Sequence, residues 1–333
     1  MVFSPSRCLF MSTLILGITI SVSSNSWFGA WMGLELNLLS FIPLIFMKNN
    51  QYSSEAALKY FLIQALGSTV LLISAVMIMM KMPVFSAPLS AALLLKAGSA
   101  PFHFWFPPTL EGMMWPQALV LMTVQKITPM SLLSYYITEQ ATLISVAAMM
   151  SAVVGALGGL NQTLLRKLLG YSSINHMAWM MAALLVSESM WLLYFIVYSV
   201  MSFSVVMLFH FTQTFHFNHL LNHIPPGSVV KLVMFMSLLS LGGLPPFTGF
   251  IPKWIVIQQL CWSGNFLLLA ILLSSSLFTL FYYLRVALSS LVLSSAKTKW
   301  SIKAALKSKL IIMALFVNMV GMLIPSAAYS FMM

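Results

Sequence analysis

The chain has 333 residues, of which 60% are hydrophobic and 6% are charged. Typical soluble domains have about 25% charged residues, so this composition excludes a water-soluble enzyme, a nucleic-acid-binding protein and a disordered chain. The mean hydropathy is +0.97 and the formal net charge is +11. Because the basic residues mostly flank apolar runs, we attribute the charge to orientation in a membrane rather than to nucleic-acid binding.

The apolar runs predict an all-α polytopic membrane protein with about eleven transmembrane helices, since one span needs roughly 20 apolar residues. We predict the helices near 8–23, 27–47, 56–80, 87–107, 113–137, 141–159, 168–187, 190–210, 231–260, 265–290 and 308–331. The N-terminal segment has the composition of a signal peptide. It shows no clear cleavage site, so we expect a retained first helix.

Basic residues concentrate at alternate ends of these predicted helices. One side collects Arg7, Lys48, Arg166, Lys167, Lys231, Lys297, Lys299, Lys303, Lys307 and Lys309. The other side has only Lys81 among the bases, together with Glu139 and Glu188. By the positive-inside rule, the N-terminus faces the compartment in which the protein is made, and the C-terminus faces the opposite side. We expect the basic stretch 297–309 to lie among anionic lipid headgroups.

Two segments share the pattern G-x-x-P-F-x-x-x-x-P, beginning at Gly98 and Gly243. Proline removes a backbone donor and clashes with the preceding turn, so we predict a helix break in each segment. Paired broken helices point to a transport pathway built from repeats. The alternative is that the two motifs match by chance, because Gly and Pro are common in membrane helices. Four predicted helices separate the two motifs, so we predict two inverted repeats. The predicted divisions are 1–137 for the first repeat, 138–290 for the second, and 291–333 for a basic loop and C-terminal helix.

Several ionisable residues lie inside the predicted helices, where a charge costs roughly 2.5–3.5 kcal/mol on insertion scales. They are Glu35, Lys96, Lys126, His176 and Lys253. Burial disfavours the ammonium form of lysine and a neighbouring carboxylate favours it, so such a row is suited to binding and releasing protons. We therefore predict a proton relay. The structural alternatives are that Lys253 extends to the membrane surface and that His176 hydrogen-bonds within a core.

Other polar groups have simpler structural interpretations. Glu55 and Lys59 are four residues apart and are expected to pair along one helix, and Lys81 is expected to extend to the membrane surface. Cys8 and Cys261 offer no disulfide framework and no iron–sulfur site. A histidine cluster resembles a metal site but lacks an acid or a cysteine, so we favour a polar loop and predict no metal. This cluster comprises His210, His216, His219 and His223.

Six segments carry the most specific sequence patterns. They are NSWFGAWMGLELN (25–37), EAALKYF (55–61), KAGSAPFHFW (96–105), GGLNQTLLRK (158–167), YSSINH (171–176) and LGGLPPFTGFIPKW (241–254). Together they resemble the chain 2 family of mitochondrial NADH:ubiquinone oxidoreductase, respiratory complex I. The resemblance is specific through about residue 260 and weak after about residue 290.

The resemblance implies an antiporter-like, proton-pumping module of the membrane arm. It implies that Glu35 pairs with Lys96 on the first broken helix. Lys126 is then the central relay lysine, and Lys253 lies towards the exit. Lys96 precedes its proline motif whereas Lys253 follows its own, so the two lysines are not symmetry mates by sequence alignment.

The resemblance also implies a setting for the chain. It would be a core membrane subunit that conducts protons through the Glu/Lys/His relay, coupled to quinone reduction elsewhere in the complex. NAD, FMN, iron–sulfur clusters and ubiquinone are expected on other subunits, with no cofactor on this chain. The expected partners are other membrane-arm subunits in a hetero-oligomer and anionic lipids, without nucleic acid. The expected location is the mitochondrial inner membrane, with the N-terminus on the matrix side and the C-terminus on the intermembrane-space side.

Three alternatives to this function stay open from the sequence. The first is a stand-alone cation/proton antiporter, whose transport would respond to Na⁺ or K⁺. The second is a purely structural membrane subunit, which would leave Glu35 and Lys126 without a reason to be buried. The third is a solute carrier. Few other polar groups occur near the predicted breaks, and this disfavours an organic substrate.

Overall fold

A computed structural model describes residues 5–47, 50–222, 229–292 and Asn318. Within these ranges the chain forms α-helices and no β-sheet, which confirms the all-α prediction. The predicted helix at 308–331 lies outside the described residues except for Asn318. Also outside them are Lys48, His223, Lys297, Lys299, Lys303, Lys307 and Lys309.

The described helices are numbered here in chain order. They are α1 Pro5–Ser23, α2 Trp27–Ile45, α3 Gln51–Met79, α4 Ser86–Ala97, α5 Phe106–Gly112, α6 Trp115–Met122, α7 Val124–Leu133, α8 Ile137–Gly159, α9 Leu165–Val186, α10 Glu188–Thr212, α11 Phe217–Asn222, α12 Val229–Gly242, α13 Phe250–Trp262 and α14 Phe266–Val292. Short 3₁₀ turns occur at Pro83–Phe85, His103–Trp105 and Ser134–Tyr136.

Six helical stretches of the described chain are long and apolar enough to cross a membrane. They are Pro5–Ser23, Trp27–Ile45, Gln51–Met79, Trp115–Gly159, Glu188–Thr212 and Phe266–Leu288. A helix satisfies its backbone hydrogen bonds internally, which a lipid environment requires because no water is present to bond the polar groups. The chain is therefore a multi-pass, all-helical membrane protein.

The chain divides into two compact units, Met1–Ser151 and Ala152–Met333, with the boundary inside α8. In the first unit, α2 packs against α1 and α3, and α4 packs against α3 and α7. In the second unit, α9 packs against α10, α13 and α14, and α12 packs against α10 and α14. Each unit contains one of the two predicted helix breaks. The inverted relation between the repeats, and the division at 137/138, stay predictions.

Two glycines bring α1 and α2 into backbone contact. A Cβ atom built at Gly33 would lie 2.6 Å from the backbone nitrogen of Ser21 and 2.7 Å from the carbonyl oxygen of Gly17. Real Cβ atoms do not approach other atoms so closely. Small residues are favoured where membrane helices meet because they allow the backbones to approach and pack.

Both predicted helix breaks are confirmed. α4 ends at Ala97 and α12 ends at Gly242, and the next residue in each case is a glycine in the left-handed conformation, Gly98 at φ +74° and Gly243 at φ +80°. Glycine adopts this conformation without the steric strain of a Cβ atom, so it commonly ends a helix. The helical path resumes at Phe106 in the first unit and at Phe250 in the second.

Two local features differ from the sequence prediction. The predicted helix 113–137 is interrupted at Thr123, whose φ and ψ of −117° and −75° separate α6 from α7. Thr123 is neither Gly nor Pro, so no helix-breaking residue marked this position. Hydropathy gave no signal for the interruption either. The segment expected to be a polar loop near 210–223 contains the short helix α11, with His210 in the last turn of α10 and His219 in α11.

We predict that Gly249→Ala will destabilise the second break. A Cβ atom at Gly249 would overlap the carbonyl oxygen of Ser240, and overpacking of this kind costs typically about 1–3 kcal/mol. Gly242→Ala is the matched control, because a Cβ atom there would meet its nearest neighbour, Tyr283, at an ordinary 3.7 Å. Thermal unfolding of the detergent-solubilised protein should show a lower midpoint for Gly249→Ala only. Equal midpoints for the two variants would contradict the close packing at this break.

Candidate functional site

Glu35 and Lys96 lie in the first unit, on α2 and in the last turn of α4. Lys96 is 7% exposed, and the Oε2 atom of Glu35 is buried without a hydrogen-bond partner. The Glu35 carboxylate interacts electrostatically with Lys96 and with Tyr60, but Glu35 and Lys96 form no direct salt bridge. The charge–charge interaction therefore acts at longer range than a contact ion pair. The paired role that the family resemblance implies for these two residues stays a prediction.

Lys126 lies on α7, three residues after the interruption at Thr123. It is 2% exposed, and its Nζ atom lies 5.3 Å from the centre of the Phe106 ring. A cation over an aromatic face is stabilised by the negative charge density of the ring. The aromatic ring thus offsets part of the free energy that an ammonium group loses on leaving water.

Lys96 and Lys126 line the same cavity of the first unit. The cavity has a volume of about 20 Å³, and its polar lining includes Asn37, Gln64 and Gln125. Gln64 donates a hydrogen bond from Nε2 to the carbonyl oxygen of Lys96 at 3.4 Å. The structure therefore brings two of the sequence-predicted relay lysines together at one polar space.

Lys253 lies in the first turn of α13, after the second break. It is 5% exposed, and its Nζ donates a hydrogen bond to the carbonyl oxygen of Gly242 at 2.7 Å. Gly242 is the last residue of α12, and the carbonyl end of a helix carries partial negative charge that favours a cation. The Nζ atom also lies 5.8 Å from the centre of the Trp179 ring. The ammonium group thus lies across the break from its own helix, against the last residue of α12.

Because of the contact between Lys253 and Gly242, the positions of Lys96 and Lys253 relative to the breaks are more alike in the structure than in the sequence. In the sequence, Lys96 precedes its break and Lys253 follows its own. In the structure, Lys96 lies in the last turn of α4, and the Lys253 ammonium binds the last residue of α12. Each lysine is therefore associated with the C-terminal end of the half-helix that precedes a break.

His176 lies on α9 in the second unit and is 7% exposed. Its Nδ1 atom is 2.9 Å from the hydroxyl oxygen of Tyr194, and its ring centre is 4.8 Å from that of Tyr198. All three side chains line a cavity of about 10 Å³ that is also bounded by Gly249 and Pro252 of the second break. The histidine and the broken helix thus border one space in this unit.

The salt-bridge pair and the histidine cluster that the sequence analysis discussed do not line these cavities. The salt bridge between Glu55 and Lys59 is confirmed, with 2.5 Å between Oε1 and Nζ on an exposed face of α3. The rings of His216 and His219 have centres 5.3 Å apart. No group of three or more His, Cys, Asp or Glu residues that could hold a metal ion occurs among the residues that the structure describes.

The sequence interpretation missed the neutral polar residues around the charged ones. Asn37 and Gln125 line the cavity between the lysines, and Tyr194 contacts His176. A carboxamide within an apolar helix is costly to bury without hydrogen bonds, so Asn37, two residues after Glu35, carried a usable signal. The tyrosine carried none, because its ring is common in apolar cores.

Comparison with known proteins finds a family model and relatives that match most of this chain. The family model described as NADH:quinone oxidoreductase/Mrp antiporter, TM, matches residues 24–86 and 80–279. The NADH-ubiquinone oxidoreductase chain 2 of Anopheles gambiae is 44% identical over 328 residues, covering 95% of this chain and 95% of the relative.

Solved structures share the fold at lower sequence identity. A chain of respiratory complex I from Thermus thermophilus matches with a TM-score of 0.83 and 23% identity, covering 96% of this chain and 78% of that chain. A chain of the Mrp complex from Dietzia sp. DQ12-45-1b matches with a TM-score of 0.78 and 16% identity, covering 88% of this chain and 62% of that chain.

We predict that Tyr194→Phe will destabilise the second unit. The substitution keeps the buried ring but removes the hydroxyl group that bonds His176, and leaving a buried polar atom unsatisfied costs about 1–3 kcal/mol. Tyr135→Phe is the control, because Tyr135 is exposed. Thermal unfolding should separate the two variants. A midpoint for Tyr194→Phe that equals that of the control would show that the hydrogen bond contributes nothing to stability.

Proposed function

Because this chain belongs to the NADH-ubiquinone oxidoreductase chain 2 family, we propose that it is a core, proton-conducting membrane subunit of NADH:ubiquinone oxidoreductase in the mitochondrial inner membrane. Its partners are the other membrane-arm subunits of the same complex. NADH oxidation, the flavin, the iron–sulfur clusters and quinone reduction belong to other subunits. This chain contributes proton movement and carries no redox group of its own.

The observation that carries the proposal is the shared cavity of Lys96 and Lys126. Two buried ammonium-bearing side chains line one polar space, and the half-buried Glu35 acts electrostatically on Lys96. Buried ionisable groups are expensive in a membrane protein and mark ion pathways and proton relays. A purely structural subunit gains nothing from this arrangement, since apolar residues of similar volume would fill the space at lower cost.

The coupling step that we propose is electrostatic. Quinone chemistry elsewhere in the complex changes the charge at one end of the membrane arm, and Glu35 then moves towards or away from Lys96. Opposite unit charges 4 Å apart interact by about 4 kcal/mol at an effective dielectric constant of 20. Moving one charge against a membrane potential costs about 2.3 kcal/mol per 100 mV. Formation of a contact pair from the present longer-range interaction would gain part of this energy, which is of the same order as the cost of moving one charge across 100 mV. We propose that this gain changes the proton occupancy of Lys126.

In the second unit, we assign His176 and Lys253 to the later part of the relay. His176 shares a cavity with the second break, and Lys253 binds the carbonyl oxygen that the break leaves at the end of α12. Both side chains carry groups that can exchange protons, and the carbonyl end of α12 holds the Lys253 ammonium group in place.

The second candidate function is a stand-alone cation/proton antiporter. The family model covers Mrp antiporters, and an Mrp chain has the same fold. This alternative requires that the isolated chain transport protons and that Na⁺ or K⁺ affect the transport. The proposed function requires instead that transport depend on NADH oxidation by the whole complex.

We predict that Lys126→Ala in the intact complex will abolish the proton transport that passes through this subunit. The substitution removes the only titratable atom that residue 126 brings to the cavity. Lys59→Ala is the matched control, because it removes an exposed lysine whose ion pair is worth about 0–1 kcal/mol. The measurement is proton uptake per NADH oxidised in sealed inner-membrane vesicles. Unchanged uptake in Lys126→Ala would contradict its relay role.

Assembly of both variants is checked on a native gel stained for NADH oxidation. Wild type, Lys126→Ala and Lys59→Ala should all place the chain in a large NADH-active band. If the wild-type chain migrates instead in a small inactive band, the subunit assignment is wrong and the stand-alone antiporter becomes the leading function.

For the orientation, we propose that the N-terminus lies on the matrix side and the C-terminus on the intermembrane-space side, with basic loops against anionic lipid headgroups. We predict that an impermeant thiol reagent will label Asn161→Cys only from the matrix side and Met82→Cys only from the other side. Both positions are exposed, and the exposed Cys8 and Cys261 are first replaced by serine. The reverse labelling pattern would invert the orientation.

A further inference from the structure

Asn318 is a fully buried polar residue to which the proposed relay gives no role. It lies beyond the end of α14 in the sequence, but it makes two contacts at the second helix break. Its Oδ1 atom is 2.7 Å from the hydroxyl oxygen of Ser240, and its carbonyl oxygen accepts a hydrogen bond from the backbone nitrogen of Thr248 at 3.4 Å. Ser240 lies on α12, and Thr248 lies between the break and α13. Asn318 therefore binds both sides of the break.

The backbone contact of Asn318 meets a need that the break creates. Thr248 precedes α13, so its N–H group lies outside the hydrogen-bonding pattern of that helix. In lipid such a group needs an acceptor from within the protein, and Asn318 supplies one. The Thr248 hydroxyl group also donates to the Sδ atom of Met201 on α10 at 2.7 Å. The residue after the break is therefore held by two separate parts of the chain.

The side-chain contact of Asn318 is not needed to satisfy the hydroxyl group of Ser240. That hydroxyl also lies 2.7 Å from the carbonyl oxygen of Ser237, one turn earlier on α12. A serine hydroxyl carries one proton, so its two acceptors share it. Without the Asn318 amide, Ser240 would still donate to Ser237. The amide thus adds a link across the break that local hydrogen bonding does not require, which indicates a positioning role.

The motif of the first break has no hydroxyl group at the position that makes this link. Counted from the glycine that follows each helix, Ser240 and Thr248 correspond to Leu95 and His103. The side chain of Leu95 has no hydrogen-bonding atom, and its carbonyl oxygen is bonded by the indole of Trp105 from the same broken helix. A side-chain link of the Ser240 type is therefore particular to the second break.

The position of the Lys253 ammonium group depends on the separation of the chain across the same break. Its Nζ atom bonds the carbonyl oxygen of Gly242 at 2.7 Å, two residues after Ser240. A Cβ atom built at Gly243 would lie 2.8 Å from the Cδ atom of Lys253, so the lysine side chain lies directly against the end of α12. Lys253 belongs to the helix that follows Thr248. A change in the separation of Ser240 and Thr248 would therefore move Lys253 relative to Gly242.

We propose that Asn318 is a positioning residue that fixes the width of the second break and thereby holds the Lys253 ammonium group on the carbonyl oxygen of Gly242. It does so by linking Ser240 before the break to the backbone of Thr248 after it, and it gains and loses no proton. This inference rests on the proposed function and deepens it, since it assigns the geometry of a relay lysine to a residue beyond α14. A residue with only a structural role would stabilise the fold without affecting the ammonium group.

A high-resolution map of the intact complex tests the geometry directly. Asn318→Leu keeps the approximate volume but removes the amide, and Ser240→Ala removes the hydroxyl group that it contacts. In both variants the distance from the Lys253 Nζ atom to the Gly242 carbonyl oxygen should rise beyond about 3.5 Å, outside hydrogen-bonding range. Ser237→Ala is the matched control, because it removes another buried hydroxyl group of α12 that bonds only within its own helix. The distance there should stay at 2.7 Å.

A hydrogen bond from Lys253 to Gly242 that persists in both variants would overturn the proposal. If Asn318→Leu does not assemble, Ser240→Ala decides the matter alone, since it deletes one oxygen atom and leaves the rest of the break intact.

Proton uptake per NADH oxidised in sealed vesicles tests the consequence for transport. Lys253→Ala first gives the share of uptake that depends on this lysine. Asn318→Leu and Ser240→Ala should each lower that share by about twofold to tenfold, as expected for the loss of one hydrogen bond. The double variant should lose no more than the larger single loss, because both substitutions remove the same link. Additive losses would show that the two residues act independently, and would overturn the proposal.

The outcomes separate this inference from the proposed function. If Lys253→Ala lowers uptake but Asn318→Leu and Ser240→Ala do not, Asn318 has a structural role only and the relay stands. If Lys253→Ala itself leaves uptake unchanged, the assignment of Lys253 to the relay fails, and the map alone decides whether Asn318 holds the lysine in place. A lower thermal midpoint with an unchanged hydrogen bond and unchanged uptake would contradict the positioning role.

Discussion

The arrangement of this protein depends on the free energy of keeping lysine side chains away from water. Three of the four lysines that are buried among the described residues each have a different compensating neighbour. Lys253 binds the carbonyl end of α12, Lys126 faces the ring of Phe106, and Lys96 interacts with a carboxylate at longer range. None of these neighbours neutralises a charge as completely as a contact ion pair does. The lysines are thus held where small changes in nearby charge or hydration alter their ability to hold a proton.

The helix breaks supply much of this compensation, because a break leaves carbonyl groups without their usual helical donors. In lipid those groups need partners within the protein. At the first break, the indole of Trp105 donates to the carbonyl oxygen of Leu95 at 3.1 Å. At the second, the donor is the ammonium group of Lys253. In the function that we propose, the atom that completes the backbone hydrogen bonding at the second break is also the atom that carries the proton.

The sequence predicts well those features that have a local chemical cause. Apolar runs predicted the long helices, Gly98 and Gly243 with their prolines predicted both breaks, and the four-residue spacing predicted the surface ion pair of α3. The interruption at Thr123 was missed because no helix-breaking residue occurs there. The contact from Lys253 to Gly242 was also missed, since it depends on the direction of a side chain across a break. Asn37 and Gln125 were overlooked because neutral amides attract less attention than charges, although both line the cavity of the first unit.

The glycine contact between α1 and α2 gives the first helix more importance than its composition suggests. α1 has no ionisable residue beyond Arg7 and Cys8, and most of its surface faces outward. Its backbone nevertheless meets α2 at Gly33, two residues before Glu35 and four before Asn37. One residue of an α-helix corresponds to about 100° of rotation. A slip of α2 by a single residue against this contact would rotate Asn37 out of the cavity and Glu35 away from its present position, so the first helix sets the angular alignment of both polar side chains of the second.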